Sequence, residues 1–200
     1  MVLLSSNAHH VFWLGRYLTR INVLCGHIPF QEDAVAAEYA HAFCLPAWNA
    51  TSLNALILDP DQPFSLFSQF QTIKGNIQEL RAVLSSKGYA ELNQIIKAAH
   101  DKNQYICQVT SDCAEIIEAE DQNVFLFYSL GKLIETLDTQ LRLNQNVEST
   151  LNEVETILMV MQDMGWHQFQ QAWEQLKSAP DMLSFYNFHD KLEYIFEEGV

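Results

Sequence analysis

The feature that most restricts this chain is how seldom its helical patterns are interrupted: 200 residues contain seven glycines and five prolines, with long stretches free of both. Such a chain favours helices with few breaks, and strand signals are scarce. The spacing predicts a first helix around residues 6–26, capped at Ser5 or Ser6 and stopped at Gly26, with Pro29 beyond it. Along it Leu14, Tyr17, Leu18, Ile21, Leu24 and Cys25 recur at steps of three and four and form a stripe for burial, beside a second row of His9, Trp13, Arg16, Arg20 and His27.

A second, Ala-rich helix runs from Gln31 to about Leu45, and a short apolar segment, Trp48 to Leu58, leads into a turn over residues 59–63. Asp61 is the expected cap of the next helix, with Pro63 in its first turn; that helix reaches roughly Ser86 and Gly88 ends it. A long pattern from Tyr89 to about Glu120 precedes a helix around residues 123–145. Three shorter patterns follow, Asn146 to Met164, Trp166 to Lys177 and Met182 to Glu197. With no linker or low-complexity segment dividing them, the expectation is all-α: one domain over residues 1–200, a bundle of about seven to eight helices.

The charge narrows the partners. Residues 1–100 carry seven acidic and six basic side chains, residues 101–200 eighteen and five, so the net charge of −14 sits almost wholly in the second half. An acidic surface of this kind repels phosphate backbones and anionic lipid, which argues against nucleic acid and membrane partners and leaves a basic protein partner or a cationic ligand, or solubility alone. The four cysteines, Cys25, Cys44, Cys107 and Cys113, form no CxxC pair and read as reduced core thiols of a cytoplasmic protein. The start, Met1 to Ser5, lacks the basic region of a signal peptide, and no apolar run is long enough to span a bilayer.

Two stretches are copies of one another. Trp13-Leu-Gly-Arg-Tyr-Leu-Thr-Arg-Ile21 returns as Ser129-Leu-Gly-Lys-Leu-Ile-Glu-Thr-Leu137 at the same helical phase, placing Leu14 on Leu130, Gly15 on Gly131, Arg16 on Lys132 and Asn22 on Asp138. A glycine inside a helix costs about 1 kcal/mol against alanine, and its use here is the close approach of two helix backbones. With Leu56-Ile-Leu-Asp-Pro-Asp-Gln-Pro63, Ser65, Ser68, Asn76, Leu84-Ser-Ser86 and Glu91-Leu-Asn93, the repeated motif resembles the alpha-E domain family, bacterial all-helical proteins with a recurring W-L-G-R-Y-x-E-R signature. The resemblance runs from about Asn7 to Gln145, leaves residues 146–200 as C-terminal helices, and makes this a shortened, divergent member.

Where that signature has Glu-Arg, the first copy has Thr19-Arg20 and the second Glu135-Thr136. Two copies related by a pseudo-twofold axis would pair across: Arg20 with Glu135 survives in this scheme, and Thr19 with Thr136 replaces the other pair at both ends. Losing both partners of a buried pair is near neutral, whereas losing one strands a charge at roughly 3 to 5 kcal/mol. Arg16, one turn before Arg20, takes the acids of the second copy, Glu135 and Asp138, as its plainest partners; a carboxylate or phosphate ligand held by Arg16, Tyr17 and Arg20 is the sharper alternative. Trp13, Arg16, Tyr17, Arg20, Lys132, Glu135 and Asp138 are therefore the candidate ligand or ion-pair cluster.

No catalytic residue is assigned, and neither a cofactor nor a metal. Glu38 and His41 offer one Glu-x-x-His step where a di-iron bundle needs two and further glutamates; His9-His10 reads as a helix start; Cys25 and His27, two apart on a helix, point away from each other. No Walker loop, GxGxxG, GxSxG or HExxH occurs. The resemblance implies association with ATP-grasp ligases or transglutaminase-like proteins in amide-forming systems, hence a non-catalytic accessory module. The alternatives are an enzyme on an amino-acid or peptide-like substrate at the repeat helices, and a structural homodimer.

Overall fold

A computed structural model describes residues 5–98 and 103–198, and these are all-helical, with no strand among them. Ten α-helices follow in order: α1 Ser5–His27, α2 Asp33–Ala42, α3 Ala50–Leu58, α4 Leu66–Glu79, α5 Ser86–Ala98, α6 Asn103–Glu118, α7 Gln122–Arg142, α8 Glu148–Asp163, α9 Gln170–Ser178 and α10 Met182–Glu198. The count exceeds the expected seven to eight for two local reasons. The apolar segment before the proline-rich turn is itself a helix, α3, started by a reciprocal cap in which the Asn49 side chain accepts from Ser52 N and Ser52 Oγ accepts from Asn49 N. The pattern from Tyr89 to Glu120 is two helices, α5 and α6.

The turn around Pro63 also differs. Asp61 caps nothing; Ser65 is the N-cap of α4, its hydroxyl accepting from Ser68 N. Helix α4 stops at Glu79 and tightens into a 3-10 turn over Leu80–Ala82. Gly88 lies in the first turn of α5, where it starts a helix rather than ending one. The Glu120 carboxylate accepts from Ser85 N and from Ser85 Oγ, and a Cβ on Gly88 would collide with it.

The helices group into two compact units, residues 17–120 and residues 1–16 with 121–200, so α1 contributes to both and the division falls between Arg16 and Tyr17. In the unit of residues 17–120, α2 packs on α3, α3 on α4, and α4, α5 and α6 on one another. Ile21, Leu53, Leu66, Ile73, Ile77, Leu80, Leu92, Ile106 and Ile117 are essentially removed from water there. Cys25 of α1 and Cys107 of α6 form a disulfide across 82 residues of chain, with Cα atoms 5.7 Å apart. Reading all four cysteines as reduced is thus corrected: only Cys44, exposed, and Cys113, buried, are free. Spacing could not reveal this, because two thiols far apart in sequence met only when α1 and α6 packed. Burial pushes the Cys113 thiol up to about 12, so it is an inert core group.

In the unit formed by residues 1–16 and 121–200, α7 packs on α8 and α10, and α9 on α10. Its core is aromatic: Phe12, Phe127, Trp166 and Phe196 meet ring to ring at centroid distances of 5.3 to 6.0 Å. The two copies of the repeated motif cross here. A Cβ on Gly15 would sit 2.3 Å from the carbonyl oxygen of Tyr128, and one on Gly131 1.9 Å from that of Phe12. Both obstacles are backbone atoms that cannot swing aside, so glycine at these two positions sets the distance between α1 and α7.

Two outcomes test this. Gly131→Ala, despite gaining about 1 kcal/mol of helix propensity, should lose at least ~2 kcal/mol in urea unfolding, whereas Gly75→Ala, in open space inside α4, should be neutral or stabilising; equal effects would contradict the crossing. Thiol titration of the denatured, unreduced chain should count two thiols, and four would contradict the disulfide.

Candidate functional site

The residues singled out from the repeat divide between the units. Trp13, Arg16, Lys132, Glu135 and Asp138 belong to residues 1–16 and 121–200, Tyr17 and Arg20 to residues 17–120. In the latter unit the Arg20 guanidinium lies 5.8 Å from the centre of the Tyr17 ring. Lys132 is exposed. The other four lie on facing stretches of α1 and α7.

Arg16 is 5% exposed and Glu135 fully buried, and Arg16 Nε donates to Glu135 Oε2 at 2.9 Å. Its terminal nitrogens reach His189 Nε2 at 2.5 Å and Asp138 Oδ2 at 3.7 Å. The plain expectation for Arg16, pairing with Glu135 and Asp138, is met. The glycine contact explains the register found: with Gly15 against Tyr128 and Gly131 against Phe12, the residue after Gly15 comes level with the turn after Gly131. Under the same repeat register the counterpart of Arg16 is Lys132 and that of Glu135 is Thr19. The second copy thus has an exposed lysine where the first has a buried arginine.

The cluster continues outward. Asp138 Oδ1 accepts from Arg142 Nε at 2.9 Å, and Arg142 donates to the Tyr186 hydroxyl at 2.8 Å. Two guanidinium groups therefore face two carboxylates. Burial pushes the Asp138 carboxyl up, with Glu135 adding to it, and the attraction of Arg142 and Arg16 only partly offsets this. Arg142 is disfavoured by its own burial, but Asp138 and Tyr186 outweigh that and hold it more firmly protonated than usual.

The sequence pattern places α10 but not its part in the cluster. His189 and Glu193, one turn apart, close the cluster from the other side. Burial and the Arg16 charge push His189 down to about 4, so at neutral pH its Nε2 lone pair accepts from Arg16. Glu193 Oε2 lies 2.9 Å from His9 Nε2, and Trp13 Nε1 lies 2.7 Å from that same histidine nitrogen. One imidazole nitrogen cannot donate and accept at once; because the Trp13 indole also reaches Glu193, the consistent assignment points both N–H groups at the carboxylate. Burial alone would raise Glu193, yet these donors hold it below its usual range. The signal available in sequence was the His189-x-x-x-Glu193 step, matched to His9 and Trp13 on the row beside the buried stripe of α1.

Within this unit Arg16 is engaged by Glu135, Asp138 and His189, and Trp13 by Glu193. No group of three or more His, Cys, Asp or Glu among the described residues could hold a metal ion, and Glu38 and His41 are both exposed. Cys25 is oxidised and so is no nucleophile beside His27, whose ring instead stacks on Phe30 with centroids 5.8 Å apart.

These features define a class: all-helical proteins in which two copies of a glycine-bearing helix cross over a buried arginine–glutamate pair. The chain belongs to the Alpha-E family, described as a predicted alpha-helical domain with a conserved ER motif, whose model matches residues 3–179. The match reaches past Gln145, where the resemblance read from the motifs ended, and takes in α8 and α9. Comparison with curated proteins and with solved structures finds no match.

His189 gives a pH test with a definite sign. Its folded value lies below the unfolded one near 6.5, so its contribution to stability is complete above pH ~6.5 and is lost as pH falls towards 4. Unfolding free energy should drop by on the order of 3 kcal/mol across that window, and His189→Gln, which can still accept from Arg16, should flatten the drop. Parallel pH profiles for the two proteins would contradict the assignment.

Proposed function

We propose that this chain is a non-catalytic accessory module of an amide- or peptide-forming system, docking an ATP-grasp ligase or a transglutaminase-like enzyme or presenting its substrate. The observation that carries this is the state of the motif: Arg16, Glu135 and Asp138 are buried and engaged with one another, as a structural staple would be and a substrate site would not. Large apolar side chains meanwhile stand in water, among them Leu183 at 72% and Met159 at 62% exposure in one unit and Trp48 at 73% in the other, as material for contact with a partner. Fold analogy supplies the partner class and nothing more.

The reading includes a cytoplasmic setting; among the described residues no helix is long and apolar enough to cross a membrane. A reducing cytoplasm would open the Cys25–Cys107 bond, so alkylation of the chain in intact cells tells a cytoplasmic setting, with four reactive thiols, from an oxidising one, with two. Affinity purification from the native host should recover an ATP-grasp or transglutaminase-like protein in stoichiometric amount. Its absence, or amide-forming activity by the isolated chain that Arg16→Met abolishes without unfolding it, would overturn the proposal.

A further inference from the structure

Away from the repeat, and wholly within the unit of residues 1–16 and 121–200, a groove of about 710 Å³ opens where the α7–α8 turn meets the α9–α10 turn. That volume is within the range of sites that hold small molecules or short peptides, about 300 to 1,000 Å³. Four carboxamide side chains line it, Asn144, Gln145, Asn146 and Asn152. Asn146 Oδ1 is committed to Glu148 N. Asn144, Gln145 and Asn152, all exposed, make no side-chain hydrogen bond to the described residues, which leaves the donor and acceptor of each available at the groove. Asn144 is held there by a left-handed backbone (φ 51°), a conformation asparagine tolerates better than most residues. Leu151 and Met182 supply apolar wall between the amides.

The charges around the groove decide what it rejects. The one cation in the lining, Lys177, is already neutralised by Glu155 at 2.5 Å and Glu174 at 3.1 Å. Asp181 and Glu148 add carboxylates, and Asp181 keeps its negative charge because the Ser184 backbone N–H and hydroxyl hold its carboxyl below the usual range. Phosphates and free carboxylates therefore meet net negative charge and no available cation. A carboxamide offers the same donor–acceptor pair as a peptide group, so three of them spaced by apolar side chains match an extended main chain.

We infer that this groove binds a short, extended, non-anionic peptide segment, its main-chain amides paired with Asn144, Gln145 and Asn152 and its apolar side chains against Leu151 and Met182. The inference goes beyond the docking role and does not rest on it: an enzyme partner can be recovered whether or not the groove takes peptide. The probe is an N-acetylated, C-amidated hexapeptide alternating leucine with glutamine and lysine, titrated into the 15N-labelled full chain. Amide shifts should be confined to residues 141–152 and 177–182. Gln145→Leu with Asn152→Leu, both exposed positions, should weaken binding at least tenfold while leaving the unfolding midpoint unchanged, and a peptide with glutamate in place of lysine should bind at least tenfold more weakly. Shifts elsewhere, none at millimolar peptide, equal binding by the glutamate peptide, or binding unaffected by the double substitution would each overturn it.

Discussion

A guanidinium and a carboxylate buried together beneath a helix crossing constrain everything around them. Arg16 and Glu135 lose their water on folding, at a desolvation cost of several kcal/mol each, and recover it only if every polar atom finds a partner. The paired glycines let α1 and α7 approach closely enough for the bond. His189 accepts from a terminal nitrogen of the arginine, Asp138 lies within ion-pair distance of the other, and Arg142 then compensates Asp138. Each element of this unit that touches the cluster is fixed by it: α7 through Glu135 and Asp138, α10 through His189 and Glu193, α1 through His9, Trp13 and Arg16.

How much of this is legible from sequence depends on the range of the interaction. Periodicity places most of the helices because each reflects a local 3.6-residue pattern, and the internal repeat yields the glycine contact because a glycine inside a helix needs a reason. Caps were less legible: Ser65 and Asp61 are both good cap residues four positions apart, and only the packing of Leu66 into the core chooses Ser65. The Arg16–Glu135 bond was one of two readings the pattern left open, since residues 16 and 20 share a helical face. The disulfide and the α10 side of the cluster depend on contacts 82 and 173 residues apart in sequence, which no local pattern encodes.

The family's ER motif takes a specific physical meaning in this chain. Glu135 is the surviving acid of two motif copies, and it accepts from the arginine that follows the motif glycine in the other copy. Thr19 stands where the first copy's acid would be, and the second-copy position matching Arg16 is Lys132, which is exposed. In this chain the Arg16–Glu135 pair thus lies where α1 and α7 cross.

The central claim is that Arg16 and Glu135 stabilise the fold as a pair, and a double-mutant cycle measures that directly. Arg16→Met and Glu135→Leu should each cost about 3 to 5 kcal/mol of unfolding free energy, because each strands a buried charge. The double variant should cost at least ~2 kcal/mol less than the sum of the two. Additivity within about 0.5 kcal/mol would show that the two side chains act independently, and the account built on their pairing would fail.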